Sequence, residues 1–219
     1  MRTAFNDDNQ TFYDGDVGAW PSERYNEGYS QAKFDFETIF NNLERDENGK
    51  IIEDIYIVSH SKGSAWAAGF QDAWNEKVND PKYANQFADG NGEIDFSMML
   101  APHQSGYINV EKSSTKVVTL THDYDPLSDG AVGSRNNSGD VINIEIDTEH
   151  WATEISDNHT IDGFHFEAEN TVKLFMEYKN DYQDKPIIEQ INFVKKAVKK
   201  IKESSHKLWD RDDKKYVND

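Results

Sequence analysis

The sequence predicts an α/β fold, a mostly parallel sheet flanked by helices. Short β-branched runs alternate with segments of helical periodicity, and the best of those runs leads through a turn of small residues straight into a helix. The segments 94–101 and 116–121 are predominantly apolar instead of alternating, as befits strands covered on both faces. A length of 219 residues suits one ordinary domain, and 36% hydrophobic residues can build a single core.

The elements follow in order. Residues 25–43 carry Phe36, Ile39, Phe40 and Leu43 at helical spacing, introduced by Pro21, Ser22 and Glu23 and stopped by Asp46, Glu47, Asn48 and Gly49. Residues 53–59 form a short β-branched run, and 65–78 regain helical periodicity through Trp66, Phe70 and Trp74. Strands are expected over 94–101 and 116–121. Over 141–146, Ile142, Ile144 and Ile146 alternate with Asn143 and Glu145, as expected of a half-exposed edge strand. A helix over 164–178 closes the body. In the tail, Ile187, Ile191, Val194, Val198 and Ile201 recur every three or four residues, Leu208 follows seven residues on at the same helical period, and lysines fall mainly between them, which predicts an amphipathic helix over 187–208. There is no internal repeat or low-complexity segment in the body.

Charge narrows the function. The chain has 41 acidic and 23 basic side chains, a net charge of −18. Residues 185–219 hold ten basic and six acidic groups, a local +4, which leaves 13 basic against 35 acidic for residues 1–184. We therefore expect a domain over 1–184 and a basic tail over 185–219. So negative a body repels phosphate backbones, which argues against nucleic acid as a partner. No apolar run approaches the roughly 18 residues of a membrane span, so a soluble chain is expected. The absence of cysteine excludes disulfides and thiolate metal sites. The first eight residues contain no apolar stretch after Arg2 and do not read as a secretory signal. The expected location is the cytoplasm of the producing cell, or export as part of a larger polypeptide.

The chemistry points to Ser61. It sits in Ser59-His60-Ser61-Lys62-Gly63, which matches the Gly-x-Ser-x-Gly pattern except that Ser59 replaces the first glycine. A serine raised on a sharp strand-to-helix turn needs small neighbours two positions to either side, because strand and helix nearly touch there. The same turn aims the amide of Lys62 at a developing oxyanion, aided by the positive end of the following helix. With Ala65, Ala67, Ala68 and Gly69 after it, the segment 54–70 resembles the α/β-hydrolase superfamily. It is especially similar to class 3 lipase-like domains at the C-terminal ends of bacterial Rhs-type polymorphic toxins. The resemblance spans about residues 13–166 and departs at Ser59 and in an N-terminus with fewer strands.

The resemblance implies an α/β-hydrolase-like sheet with reduced N-terminal strands and a triad in the order serine, acid, histidine. Asp125, before Pro126 at the end of a late strand, is the expected acid, with Asp123 as rival. His159, followed five residues later by Phe164, is the expected base over His165, and His150 also lies downstream. Asp16, in the loop 12–18 after an expected first strand, is the positional choice for the second oxyanion amide, beside Lys62. The implied activity is ester hydrolysis through an acyl-enzyme, by a lipase or phospholipase in an antibacterial effector, with a lipid or other ester as substrate and an immunity protein as partner. A peptidase, a thioesterase or a non-catalytic interaction domain on the same scaffold are the alternatives.

No cofactor is expected. Residues 89–96 look like the middle of an EF-hand loop, but with Gly92 at its sixth position Phe87 and Met98 occupy positions one and twelve, where calcium needs carboxylates. A polar turn is the expectation there, with no metal. The basic tail either packs on the body or lies on an anionic membrane surface.

Overall fold

The computed structural model describes residues 10–122, 125, 127–128, 131–133, 141–146, 164–202, 207–210 and 215–218. It is an α/β structure in which four parallel strands, hydrogen-bonded in the order β1-β2-β3-β4, are flanked by helices. The strands are Tyr56–His60 (β1), Phe96–Leu100 (β2), Lys116–His122 (β3) and Val141–Ile146 (β4). Pairing of β1 with β2 runs from Tyr56 opposite Phe96 to His60 opposite Leu100. Every residue of β2 is buried, which accounts for its apolar character, with Ser97 the one polar side chain in it. β4 lies at the sheet edge, where Ile144 and Ile146 are buried and Asn143 and Glu145 exposed, the expected alternation.

The chain gathers into two compact units. One comprises Asp14–Thr119 and Leu127–Asn143, the other Met1–Tyr13, Leu120–Pro126 and Ile144–Asp219. In the first, helix α1 spans Pro21–Asn42 and helix α2 spans Gly63–Val78. α1 starts four residues before its expected position, because Pro21 opens the first turn and Glu23 Oε2 accepts from the amides of Ala19 (2.8 Å) and Trp20 (3.1 Å). α2 is buried along nearly its whole length. Trp66, Phe70 and Trp74 meet Ala32, Phe36 and Phe40 of α1, with Phe36 and Trp74 rings 4.9 Å apart. Ala65 and Ala68 cluster with Met99, Val110 and Val117.

Two glycines set how closely α1 and α2 cross. A Cβ on Gly28 would stand 1.9 Å from the Trp66 carbonyl oxygen, and one on Gly69 would stand 2.0 Å from that of Tyr25. Beside this crossing Asp72 is buried, accepting from Tyr25 Oη (2.8 Å) and from the Glu111 amide (3.4 Å). Burial pushes the Asp72 carboxyl up to about 7, helped by the nearby Glu111 charge and opposed by the Tyr25 hydrogen bond.

A short helix, α3 (Pro81–Ala84), precedes β2. Asn75 then ties α2 to the sheet, donating to Thr115 Oγ1 (3.0 Å) and accepting from the Ile94 amide (2.9 Å). The expected polar turn is a pair of side-chain turns, the Asn91 amide donating to Asp89 Oδ1 (2.9 Å) and the Glu93 amide to Asn91 Oδ1 (3.2 Å). The expected first strand falls mostly on residues 1–9, outside the described residues, and residues 10–17 form no regular element.

In the second unit, helix α4 spans His165–Asp181 and helix α5 spans Ile187–Lys202. Phe193 of α5 meets Tyr182 with ring centroids 4.3 Å apart, and Tyr178 Oη donates to Gln190 Oε1 (2.6 Å). The tail helix is shorter than its periodicity suggests. Leu208 lies instead in β5 (Lys207–Asp210), antiparallel to β6 (Lys215–Asn218), with Leu208 opposite Val217 and Trp209 opposite Tyr216. β-forming residues on both sides of an Asp-rich connection favour this hairpin over another helical turn. Among the described residues no helix is long and apolar enough to cross a membrane.

Candidate active site

The ends of β1 and β2 are level, since His60 pairs with Leu100, and the chain leaves both strands in strained turns. Ser61 has φ +54°, Ala101 +42° and Gln104 +55°, three residues other than glycine in the left-handed region. Each such residue costs on the order of 1–2 kcal/mol, and strain of this kind gathers where a chain must present something. The carboxyl ends of parallel strands are also where α/β proteins place their ligands.

Ser61 is half-buried at the tip of the turn between β1 and α2. Its amide donates to the Leu100 carbonyl (2.9 Å), while its own carbonyl accepts from the amides of His103 (3.2 Å) and Ser64 (3.1 Å). The end of β2, the loop after it and the first turn of α2 thus hold its backbone. Ser59, standing where glycine was expected, has its Oγ within reach of Ser64 Oγ (3.3 Å) and the Met98 carbonyl (3.4 Å), so its small polar side chain fits between strand and helix. Lys62 follows as the N-cap of α2, where amides lack partners from a preceding helical turn.

The loop bearing Asp16 lies against this turn. A Cβ on Gly15 would come within 2.8 Å of Gly63 Cα, and Lys62 Nζ binds Asp16 Oδ1 at 2.7 Å. The hydrogen bond and charge of Lys62 hold the Asp16 carboxyl below the usual carboxylate range. The amide of Asp16, expected as an oxyanion donor, donates to Asp14 Oδ1 (3.0 Å). In this arrangement Asp16 therefore meets the Ser61 turn through its side chain.

No family model, curated protein or solved structure matches the chain. What the site can do must be argued from its own geometry.

Ser61, Lys62 and Asp16 come together in the first unit. Asp125 belongs to the second, where it is buried with its amide donating to the His122 carbonyl (3.1 Å) and the His122 ring stacked on Phe164 at 4.1 Å. His159, His150 and Asp123 lie outside the described residues. His165 opens α4, and its side chain too lies outside the described part.

Three residues near Ser61 escaped the sequence reading. His103 and Gln104 follow β2, and the rule that sites gather at strand ends would have flagged them. Arg24 gave no such signal, being one charge among many in a charged helix. It is buried, donating from Nη2 to the Ala19 carbonyl (2.7 Å) and to Gln104 Oε1 (3.2 Å), and so fixes the start of α1 to the strained turn after β2. Among the described residues no group of three acidic or histidine side chains is placed to hold a metal ion.

Proposed function

We propose that the chain is a serine hydrolase acting on carboxylic esters, with Ser61 as nucleophile. The observation that carries this reading is the left-handed backbone of Ser61 at the tip of a strand-turn-helix, pinned by hydrogen bonds to the end of β2, to the loop after it and to the first turn of α2. Such a turn lifts one hydroxyl clear of the sheet while leaving amides of the helix N-terminus beside it. Asp125 and His159, chosen by chain order, complete the proposed triad.

In this mechanism His159 takes the hydroxyl proton as Ser61 Oγ attacks the ester carbonyl, and Asp125 fixes the imidazole tautomer and offsets its positive charge. The Lys62 amide supports the oxyanion. His159 then returns the proton to the leaving alcohol, and water, activated in the same way, releases the acyl group. A lipase or phospholipase serving as a toxin effector is the proposed setting, following the sequence resemblance.

A fluorophosphonate probe tests the reading, since it phosphonylates an activated serine and spares an ordinary one. Stoichiometric labelling at Ser61, lost in Ser61→Ala and reduced by orders of magnitude in His159→Ala, is expected. An unlabelled wild-type chain would leave the non-catalytic alternative. Labelling that survives His159→Ala but fails in His165→Ala would move the base to His165. Lipid profiles of cells expressing wild type or Ser61→Ala would then name the ester.

A further inference from the structure

Gln190 and Phe193 of α5 meet α4 and the turn after it, and Ala197 and Ile201 continue their line along the helix, at spacings of three, four and four. Gln190 accepts from Tyr178 and donates to the carbonyls of Gln183 (2.9 Å) and Lys185 (2.8 Å), Phe193 meets Tyr182, and Ile201 is buried. A second line, Ile188, Ile191, Lys195 and Lys199, has the same spacing and lies on roughly the opposite side of the helix. Ile187 adjoins it. These isoleucines are open to solvent, with 69% of Ile187, 60% of Ile188 and 41% of Ile191 exposed. The other exposed large apolar side chains among the described residues are spread from Phe12 to Leu127.

Charge on this segment opposes that of the chain. Residues 185–202 hold six lysines and one glutamate, whereas the remaining 17 basic and 40 acidic groups make the rest strongly negative. An anionic surface would repel most of the molecule and attract this helix. The isoleucines need an apolar acceptor, and Lys195 needs negative charge one turn farther along the same face. A lipid monolayer supplies both within the roughly 5–10 Å between headgroups and acyl chains. We propose that α5 is an interfacial helix that docks the chain on anionic lipid membranes, with Ile187, Ile188 and Ile191 inserted and Lys195, Lys196 and Lys199 against the headgroups. The proposal stands apart from the hydrolase reading, because neither Ser61 nor any triad partner contributes to it.

Flotation of the full chain with vesicles of ether-linked lipids, which esterases cannot cleave, tests the docking alone. Vesicles of phosphatidylcholine with 30% phosphatidylglycerol should bind at least tenfold more protein than pure phosphatidylcholine at 50 mM salt, and 500 mM salt should abolish most of the difference. The variant with Ile187→Ser, Ile188→Ser and Ile191→Ser alters only exposed positions and should bind at least tenfold more weakly. Lys195→Gln with Lys196→Gln should lose roughly fivefold per lysine on the anionic vesicles and nothing on the neutral ones. Equal binding to both vesicle types, or undiminished binding by the serine variant, overturns the proposal. So does a wild-type dimer in light scattering that the serine substitutions dissociate, because a second copy would then be what covers the helix.

Discussion

Replacing Ser61 by glycine should make the protein more stable than replacing it by alanine, although neither variant retains a hydroxyl. The native φ of +54° is costly for any residue with a Cβ, by about 1–2 kcal/mol, and alanine inherits that cost whereas glycine does not. Glycine gives back part of the gain, roughly 0.5–1 kcal/mol, through its greater freedom in the unfolded chain. The expected difference is therefore about 0.5–1 kcal/mol in favour of Ser61→Gly. For a chain of 219 residues this corresponds to a rise of about 1–4 °C in Tm over Ser61→Ala, within reach of scanning calorimetry. The same pair of substitutions at Ser64, a helical position, should give the opposite order by about 1 kcal/mol. Under the hydrolase reading neither Ser61 variant takes up the fluorophosphonate. A Ser61→Gly protein that melts below Ser61→Ala would refute the claim that this turn stores strain.

Gly69→Ala would push a methyl group into the Tyr25 carbonyl, which as backbone cannot turn aside, so a loss of at least about 3 kcal/mol is expected in urea unfolding, and Gly28→Ala should behave alike. Asp72, raised to about 7 in the fold against an ordinary 3.8, stays protonated in the native state at pH values where the unfolded chain has released that proton. Its contribution to stability should therefore fall as pH rises from about 4 to about 7 and remain low above that. Asp72→Asn keeps one acceptor, as the protonated acid does. It should flatten that part of the pH profile and gain a few kcal/mol over wild type at pH 8, as read from urea midpoints at a series of pH values.

Local signals carried much of the fold. Strands β2 and β3 announced themselves because a strand covered on both faces is predominantly apolar and does not alternate, and β4 did so because its edge position exposes alternate residues. The Ser61 turn was legible for a similar reason, as its small neighbours answer to a steric demand only a few residues wide. Contacts between distant segments left no such trace. The burial of Asp72 and Arg24 depends on where α1 crosses α2 and on where Gln104 stands, and nothing beside either residue in the chain encodes that. In the tail, Leu208 stands a helical seven residues after Ile201 even though the backbone has passed into a hairpin, because an apolar residue at a helical interval serves equally well in a strand.

The crossing of α1 and α2 and the strain at Ser61 belong to one mechanical problem. A residue in the left-handed region stays there only if its surroundings leave it no alternative. Ser61 is joined to α2 through Lys62 and Gly63, and α2 is fixed by Gly28 and Gly69 on the α1 side and by Ala65 and Ala68 among the apolar residues near the sheet. On the strand side, the Leu100 carbonyl and the His103 amide hold the backbone directly. With Ala101 and Gln104 the cost comes to roughly 3–6 kcal/mol, a large fraction of the net stability of an ordinary domain, about 5–15 kcal/mol. Glycine at position 61 would relieve part of it without losing a single one of these backbone hydrogen bonds. The one thing glycine cannot supply is the hydroxyl, and the hydroxyl is what the proposed chemistry requires.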